Sequence, residues 1–265
     1  MDFELRGKRA LVTGSTAGIG FAIARSLAAE GASVIVNGRS EDRVTKAIAA
    51  IRDGGLPDAD LRGIGADLGT AEGCAAMVQA LPEVDILVNN LGIFEAKPFA
   101  QITDADWLHF FEVNVLSGVR LSRAYLPGML ARNWGRILFI SSESALQIPV
   151  EMIQYGTTKT AQLAVARGLA EMTAGTAVTV NSILPGPTKS EGVADFVAGL
   201  AAQQNKSAVE VERDFFLHAR PTSLLKRFET PDEIAALTAF IASPRASGVN
   251  GAALRVDGGV VRAIG

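Results

Sequence analysis

The stretch Thr13-Gly14-Ser15-Thr16-Ala17-Gly18-Ile19-Gly20 decides the fold, because it separates a short apolar run from a helical pattern. The run Arg9–Thr13 has the composition of a buried strand, and residues 18–30 have the periodicity of a helix. A glycine-rich turn at this junction brings free backbone N–H groups and the positive end of a helix dipole to one point. The turn therefore favours a pyrophosphate ligand, although its Gly-x-x-x-Gly-x-Gly spacing differs from the Gly-x-Gly-x-x-Gly fingerprint and a purely structural turn is the alternative.

Strand and helix patterns alternate along the rest of the chain. The predicted strands are Arg9–Thr13, Ser33–Asn37, Arg62–Ala66, Asp85–Asn89, Arg136–Ser141, Val178–Leu184 and Ala253–Val256. The predicted helices lie near 18–30, 41–53, 71–80, 104–131, 155–174 and 231–242. Such alternation predicts an α/β fold with a doubly wound, Rossmann-type sheet of seven parallel strands and helices on both faces. With no linker or repeat to divide the chain, we expect one domain over residues 1–265.

One stretch interrupts this alternation. Residues 188–228 follow Pro185-Gly186-Pro187 and have helical pattern without a strand, with apolar residues at Val193, Phe196, Val197, Leu200, Phe215, Phe216 and Leu217. Ligands bind at the carboxyl ends of strands in doubly wound sheets, and this insertion follows such an end. We interpret residues 188–228 as a substrate-covering lid; the alternative is a packing hairpin that does not move.

Composition narrows the classes of partner. The chain has 265 residues and a formal net charge of −3, which gives no reason to expect nucleic acid or an anionic membrane as partner. No apolar run is long enough to span a bilayer. One cysteine and two histidines provide neither a disulfide nor a metal-ligand cluster, so we expect no metal. A reducing, cytoplasmic location is the expected one.

A group of polar residues suited to acid–base chemistry lies in the second half of the chain. Tyr155 and Lys159 are four residues apart, and Ser142 lies thirteen residues before the tyrosine. Residues at i and i+4 share a helix face, and an ammonium near a phenol lowers the pKa of the phenol. Ser142 is the hydrogen-bond donor for a developing oxyanion. Its neighbour Ser141 points to the opposite face of the strand, and an ordinary surface Tyr–Lys pair is the alternative.

Together these motifs resemble the short-chain dehydrogenase/reductase family, in its single-domain form of roughly 250 residues. The resemblance covers nearly the whole chain. It rests on Thr13 to Gly20, Asn89-Asn90-Leu91-Gly92, Asn114, the trio Ser142, Tyr155 and Lys159, Asn181 to Gly186, and Val256-Asp257-Gly258-Gly259. Leu91 departs from the usual alanine of the family, and its larger side chain is expected either to need a smaller neighbour or to shift the loop.

The resemblance implies a role for each of four catalytic residues. Tyr155 is the expected general acid in reduction and general base in oxidation, and Lys159 is expected to bind the nicotinamide ribose. Ser142 is expected to orient and polarise the substrate carbonyl. Asn114 resembles the residue that holds a water linked to Lys159; bonding to the helix backbone is the alternative. The family also forms tetramers through its two long helices, so a homotetramer is expected.

The same resemblance implies a set of cofactor contacts. Asp67 matches the residue beside the adenine, with a turn or helix cap as the alternative. The expected cofactor-binding residues are Gly14, Ser15, Thr16, Gly18, Ile19, Gly20, Arg39, Ser40, Asp67, Leu68, Asn90, Gly92, Tyr155, Lys159, Pro185, Gly186 and Thr188.

The end of the second predicted strand bears on the choice between NAD and NADP. An acidic residue there binds the ribose hydroxyls of NAD, whereas an arginine accommodates the 2′-phosphate of NADP. Here Gly38 takes the acidic position and Arg39 follows, with the Ser40 hydroxyl next to it. A guanidinium suits phosphate, so the sequence favours NADP, although Ala17 lacks the second basic side chain of many NADP-binding relatives and NAD stays possible.

The sequence therefore predicts an NAD(P)-dependent oxidoreductase that transfers a hydride between a nicotinamide cofactor and a small-molecule carbonyl or secondary alcohol. The alternative is a non-catalytic dinucleotide-binding sensor or scaffold with the same fold. A binding role alone has no need of Ser142 and Tyr155, which favours the enzyme. The substrate itself, and the direction of the reaction, stay open between sugar, acyl, steroid-like and small cyclic ketones.

Overall fold

The computed structural model describes residues 2–190, 193, 199, 201 and 206–264. Its sheet has seven strands in the order β3-β2-β1-β4-β5-β6-β7, and all paired strands are parallel. The strands are β1 Arg9–Val12, β2 Ser33–Gly38, β3 Leu61–Gly65, β4 Ile86–Asn89, β5 Gly135–Ile140, β6 Val178–Pro185 and β7 Ala253–Val256. The strand order reverses between β1 and β4, which is where such sheets bind ligands. The predicted fold class and all seven strands are confirmed.

Eight α-helices in the described residues surround the sheet. They are α1 Gly18–Ala29, α2 Glu41–Asp53, α3 Ala71–Ala80, α4 Asp104–Phe111, α5 Ser117–Ala131, α6 Ile153–Glu171, α7 Ala208–His218 and α8 Pro231–Ala242. The predicted helix 104–131 is interrupted by a π-helical turn at Glu112–Leu116, so that it forms two helices, α4 and α5. Such wide turns are common at functional sites, and this one contains Asn114.

The sheet separates two apolar cores. One contains residues of α1 and α8, such as Ile23 and Ile234, and the other contains residues of α3 and α5, such as Met77 and Leu121. All four side chains are fully buried. Alternating side chains of each strand enter opposite cores, and the buried area on both faces explains why the strands are nearly continuous apolar runs.

The predicted lid is described only in part. Its second half forms α7, where Phe215 and Phe216 pack with Phe228 at ring-centroid distances of 5.0 to 5.1 Å. These rings form a small core of their own, separate from the two cores of the sheet. The predicted apolar positions Phe196, Val197 and Leu200 lie outside the described residues.

Side-chain amides join the last strand to the sheet. Asn181 is buried on β6, where its Nδ2 donates to the Val249 carbonyl (2.8 Å) and its Oδ1 accepts from the Ala252 N–H (3.0 Å). This pair of bonds aligns the chain that enters β7 with β6, whose carboxyl end carries Pro185 and Gly186. Across the described ranges, no helix is long and apolar enough to cross a membrane.

We predict that Asn181→Ala lowers the free energy of unfolding by about 1 to 3 kcal/mol, because it removes the partners of a half-buried N–H and a half-buried carbonyl. Urea denaturation followed by circular dichroism measures this change. Gln79→Ala, at an exposed position of α3, is the control and should shift the free energy by less than about 0.5 kcal/mol. Equal effects of the two substitutions would show that the Asn181 bonds contribute nothing.

Candidate active site

The glycine turn between β1 and α1 has backbone conformations and contacts that favour glycine. Gly14 and Gly18 have φ angles of +61° and +57°, in the left-handed region that favours glycine. A Cβ on Gly20 would lie 2.4 Å from Asn90 Nδ2 and 2.5 Å from the Gly14 carbonyl, so this glycine is required by packing. The amides of Gly18, Ile19 and Gly20 have no acceptor among the described residues and lie at the N-terminus of α1.

A clamp of hydrogen bonds joins this turn to the end of β4. Thr13 Oγ1 accepts from the N–H groups of Asn90 and Leu91, both at 2.9 Å. Asn90 Nδ2 donates back to the carbonyls of Thr13 and Gly14. Asn90, expected at the cofactor, thus holds the turn itself. Leu91 lies against Gly14, whose missing side chain provides the space that the larger residue needs.

The end of β2 carries the residues expected to select the cofactor. A Cβ on Gly38 would lie 2.5 Å from Thr16 Cγ2, so any side chain at this position would require Thr16 to move. Asn37 is buried, and its Oδ1 accepts from the Gly14 N–H while its Nδ2 donates to the carbonyls of Ile64 and Ala66, at the end of β3. Arg39 and Ser40 are exposed and follow directly.

Asp67, which follows β3, caps a turn, and this is the alternative role that the sequence allowed for it. Asp67 Oδ1 accepts from the Gly69 N–H at 3.0 Å, which is a turn cap, while the residue stays exposed. Leu68 is fully buried, and its carbonyl accepts from the Cys74 thiol. Asp67 is therefore accessible to an adenine ring only with its second oxygen, and Leu68 offers only backbone.

The side chains of Ser141 and Ser142, just after β5, have different partners, as expected for side chains on opposite faces of a strand. Ser141 Oγ donates to the Lys159 carbonyl at 2.8 Å and so faces α6. Ser142 Oγ accepts from the Ser144 N–H at 3.1 Å and donates to Glu143 Oε2 at 2.5 Å. Both serines are buried. Ser142 is thus on the side of the strand that faces Tyr155, whose pKa it affects.

Tyr155 lies on the first turn of α6, half-buried, with the Phe94 ring edge-on at 6.4 Å. Burial raises the pKa of Tyr155 above its ordinary value, and the Glu143 carboxylate adds to this. The Ser142 hydroxyl and the Arg220 guanidinium lower it by less. The expectation that Lys159 depresses this pKa is not met here, because the loss of hydration is the larger effect.

Lys159 is buried one turn further along α6. Its ammonium donates to the Ile140 carbonyl at 2.9 Å and to Gln162 Oε1 at 3.4 Å, and lies 5.6 Å from the centroid of the Tyr155 ring. Burial lowers the pKa of Lys159 to about 8, because the charged form is poorly solvated. A Cβ on Gly92 would approach the ammonium to 3.4 Å, so the missing side chain keeps this place open.

Asn114 is buried in the π-helical turn and its side chain is fully bonded. Its Oδ1 accepts from the Ile93 N–H at 2.7 Å, and its Nδ2 donates to the Ile93 carbonyl and to Thr158 Oγ1, both at 3.0 Å. Its own carbonyl accepts from Gln162 Nε2 at 2.5 Å. Gln162 therefore connects Asn114 to Lys159 directly. The sequence signal for Gln162 was its position three residues after Lys159, on the same helix face.

The Pro185-Gly186 turn after β6 is fixed by the C-terminal part of the chain. The Gly186 N–H lies within hydrogen-bonding distance of the Val256 carbonyl (2.7 Å) and of Glu229 Oε2 (3.0 Å). Burial raises the pKa of Glu229 to about 7, and the Gly186 N–H opposes this. Thr188 is buried and its hydroxyl donates to the Gly186 carbonyl. Thr188 therefore braces the turn.

A cluster of ion pairs lies beside Ser142, and the sequence patterns did not predict it. Glu143 is buried, and its Oε1 accepts from Arg220 Nε at 3.1 Å. The same guanidinium reaches Glu151 through Nη1 at 3.3 Å. Arg220 follows α7, within the segment 188–228 that the sequence predicts to be a lid. The carboxylate next to Ser142 was the available signal, but its partner lies 77 residues away in sequence.

These features fit a dinucleotide. The positive-φ glycines and the free amides at the N-terminus of α1 form a cradle that a Cβ would fill, as pyrophosphate binding requires. Ser142 follows the carboxyl end of β5, and Tyr155 and Lys159 lie on α6. The fold and this site define an α/β protein of the dinucleotide-binding class.

Comparison with known proteins narrows this class. Residues 8–201 match the short chain dehydrogenase family. The uncharacterized oxidoreductase YvaG of Bacillus subtilis (strain 168) is 50% identical over 264 residues, covering 100% of both chains. D-beta-hydroxybutyrate dehydrogenase of Cupriavidus necator is 34% identical, covering 97% of this chain and 99% of its own. L-Sorbose reductase from Gluconobacter frateurii, solved with NADPH and L-sorbose, has a TM-score of 0.92 at 30% identity over 100% of both chains.

The chain therefore belongs to the short-chain dehydrogenase family, as the sequence motifs indicated, and is a nicotinamide-dependent oxidoreductase.

We predict that the Lys159 amine loses its proton with a midpoint near pH 8 in the cofactor-free protein, because burial disfavours the ammonium. Titration of ¹³Cε-lysine signals by NMR measures this, with the Lys159 signal assigned by its loss in Lys159→Met. A midpoint near the ordinary lysine value of 10.5 would show that the ammonium is solvated and that its burial is not the governing effect.

Proposed function

We propose that the protein is an NADP(H)-dependent oxidoreductase in which Tyr155 is the general acid and base for a small-molecule ketone or secondary alcohol. The observation that carries this proposal is the convergence of Ser142, Tyr155 and Lys159 at the carboxyl ends of the strands, beside the glycine turn. Hydrogen bonds or packing contacts within the protein position these three side chains. Preorganised polar groups of this kind stabilise charge as it develops on a substrate oxygen.

Each residue has one task in this mechanism. Tyr155 gives its phenolic proton to the substrate oxygen in reduction and takes it back in oxidation. Ser142 hydrogen-bonds the same oxygen and orients the substrate. Lys159, held by the Ile140 carbonyl, keeps a positive charge beside the phenol and binds the ribose hydroxyls of the cofactor. The nicotinamide, when bound, supplies or accepts the hydride.

The cofactor is held along the ends of β1, β2 and β4. The turn containing Gly14, Ser15, Thr16, Gly18, Ile19 and Gly20 binds the pyrophosphate, with Ile19 donating its N–H. Asp67, Leu68, Asn90 and Gly92 line the adenosine side, and Pro185, Gly186 and Thr188 line the nicotinamide side. This assignment is supported by the free amides of the turn and by the open position at Gly92.

NADP is preferred over NAD because of the end of β2. Arg39 is exposed there, and Gly38 provides no carboxylate to bind the ribose hydroxyls of NAD. A guanidinium binds phosphate through charge-assisted, bidentate hydrogen bonds, and Ser40 adds a hydroxyl. The sorbose reductase that shares this fold was solved with NADPH, which agrees with this preference.

In this proposal the substrate passes exposed apolar residues and then contacts buried polar residues. Phe94 lies edge-on to Tyr155, Ile148 and Val150 are exposed in the chain before α6, and Ser142 and Glu143 are buried. The segment 188–228 covers this entrance as a lid. We further propose a cytoplasmic homotetramer that pairs the helices α4, α5 and α6. This is supported by the exposed Leu108 on α4 and the partly exposed Leu116 at the end of the π-helical turn that precedes α5.

We predict that Tyr155→Phe lowers kcat by at least about 10²-fold, because it removes the proton donor and acceptor, while the affinity for NADPH stays within a few-fold. Steady-state turnover of a carbonyl panel with NADPH, and fluorescence titration with NADPH, measure the two effects. Tyr125→Phe is the matched control, since the Tyr125 hydroxyl bonds only the Leu81 carbonyl. Near-normal turnover by Tyr155→Phe would refute the mechanism.

We predict that Arg39→Ala weakens NADPH binding by roughly tenfold or more and leaves NADH binding unchanged, because only NADPH has the 2′-phosphate. Paired fluorescence titrations of the variant and the parent measure both affinities. Arg43→Ala removes an exposed arginine one turn further along α2 and controls for general electrostatic attraction. A parallel loss of affinity for both cofactors, or a loss in neither, would show that Arg39 does not bind the 2′-phosphate.

A further inference from the structure

A buried carboxylate that the proposed mechanism does not use lies against the Pro185-Gly186 turn. Glu229 is 2% exposed, and its Oε2 accepts from the Gly186 N–H at 3.0 Å. Its backbone is bonded to the same turn, because its N–H donates to the Pro187 carbonyl at 2.9 Å and its carbonyl accepts from the Lys189 N–H at 2.8 Å. Side chain and backbone together therefore fix the position of the Glu229 carboxylate relative to the turn.

A second buried acidic residue, Asp257, lies on another side of the turn. Gly186 packs directly against it, since a Cβ on Gly186 would lie 2.7 Å from the Asp257 Cα. Asp257 is buried, and its two carboxylate oxygens accept from the N–H groups of Gly259 and Val261, both at 3.0 Å. Gly186 is thus in contact with two buried acidic residues, Glu229 and Asp257.

Neither of these acidic residues has a cationic partner among the described residues. The acidic residues around them do have one, because Arg220 pairs with Glu143 and Arg227 pairs with Glu233. The Lys189 side chain, next to the turn, is exposed. A buried carboxylate without a cation is costly, and a ligand that brings a positive charge to the turn reduces that cost.

The turn in question is the one that we assign to the nicotinamide. The oxidised nicotinamide ring carries one positive charge that the reduced ring lacks, whereas the phosphates of the two forms are the same. Opposite charges attract more strongly where water is excluded. A buried carboxylate at this turn therefore favours the oxidised ring, and its repulsion of the phosphates is equal for both forms.

We propose that Glu229 is a specificity-determining residue whose carboxylate strengthens the binding of NADP⁺ relative to NADPH. The inference rests on the proposed function, because it takes the nicotinamide to lie at the Pro185-Gly186 turn. In reduction the carbonyl carbon takes a hydride from NADPH and the carbonyl oxygen takes the Tyr155 proton, which solvent replaces. The products are the alcohol and NADP⁺, so a carboxylate that favours NADP⁺ shifts the equilibrium on the protein toward reduction.

The preference for NADP⁺ depends on pH in the range where Glu229 ionises. Burial raises the pKa of Glu229 to about 7, the Gly186 N–H opposes this, and neighbouring carboxylates add to it. As the pH rises through this value the carboxylate becomes charged, so the preference for NADP⁺ should increase. The charged groups that face Glu229 are Glu233 of α8, Asp257 after β7, Glu143 after β5, and Arg227 on its own segment.

The first test is the ratio of the dissociation constants of NADPH and NADP⁺, measured by isothermal titration calorimetry at pH 8. Glu229→Gln removes the charge and keeps an oxygen that accepts from the Gly186 N–H. The ratio Kd(NADPH)/Kd(NADP⁺) should fall about fivefold, which equals ~1 kcal/mol. If the parent binds NADH more tightly than NADPH, the same ratio is measured with NADH and NAD⁺.

Glu83→Gln is the matched control, because it removes one negative charge from an exposed position before β4, at the opposite end of the sheet. This control should leave the ratio unchanged. A change of less than twofold in Glu229→Gln, or an equal change in Glu83→Gln, overturns the proposal. Failure of the parent to bind either form of the cofactor would instead refute the proposed function, and this inference with it.

The second test uses the parent protein and its pH dependence. The ratio should rise between pH 6 and pH 8, and most of that rise should be absent in Glu229→Gln. Lys159, whose pKa is about 8, acts in the same direction as it loses its charge, but its contribution persists in Glu229→Gln. The difference between the two proteins therefore reports Glu229, and equal pH dependence in both would overturn the proposal.

The ionisation of Glu229 is also followed directly by ¹³Cδ-glutamate NMR, with its signal assigned by its loss in Glu229→Gln. The midpoint should lie near pH 7 in the cofactor-free protein and should be lower in the NADP⁺ complex than in the NADPH complex, because coupling between two sites is reciprocal. A midpoint near the ordinary value of 4.5, or equal midpoints in the two complexes, would contradict the proposal.

Discussion

The connection between the end of β5 and helix α6 is the interaction on which the site depends. Lys159 donates its ammonium to the Ile140 carbonyl, and the Lys159 carbonyl accepts from Ser141 Oγ, so strand and helix are bonded in both directions. Ser142 follows directly on the strand, and Tyr155 lies one turn earlier on the helix. Ser142 and Tyr155, thirteen residues apart in sequence, thus lie close together because their neighbours are joined. Without this connection, neither side chain has a defined position relative to the other.

Burial of Tyr155 and Lys159 disfavours their charged forms, and the resulting pKa shifts determine how the two groups exchange protons. The loss of hydration lowers the pKa of Lys159 to about 8 and raises that of Tyr155, so both groups move toward their neutral forms. A neutral phenol is a proton donor, and a weakly solvated lysine is sensitive to any anionic group that approaches it. A bound cofactor brings hydroxyls and phosphates to this region, so cofactor binding and the protonation of the site are linked. The ion pair of Glu143 and Arg220 adds fixed charge on the substrate side.

Much of the fold and part of the site follow from the sequence, because they depend on local patterns. Apolar periodicity predicted all seven strands, and the spacing of Tyr155 and Lys159 identified a shared helix face. The remainder depends on contacts between distant residues. The ion pair of Glu143 with Arg220 joins positions 77 residues apart, and the bridge from Gln162 to Asn114 spans 48. The direction of the Tyr155 pKa was predicted wrongly because burial, a property of the packed structure, outweighs the nearby ammonium.

The most direct test of this account is the crystal structure of the dead-end complex with NADPH and cyclohexanol. We expect one substrate oxygen within hydrogen-bonding distance of both Tyr155 Oη and Ser142 Oγ. The pyrophosphate should lie at the N-terminus of α1, on the amides of Gly18 to Gly20. An alcohol bound away from Tyr155 and Ser142, or a cofactor that leaves the glycine turn empty, would contradict the central claim that these elements form one active site.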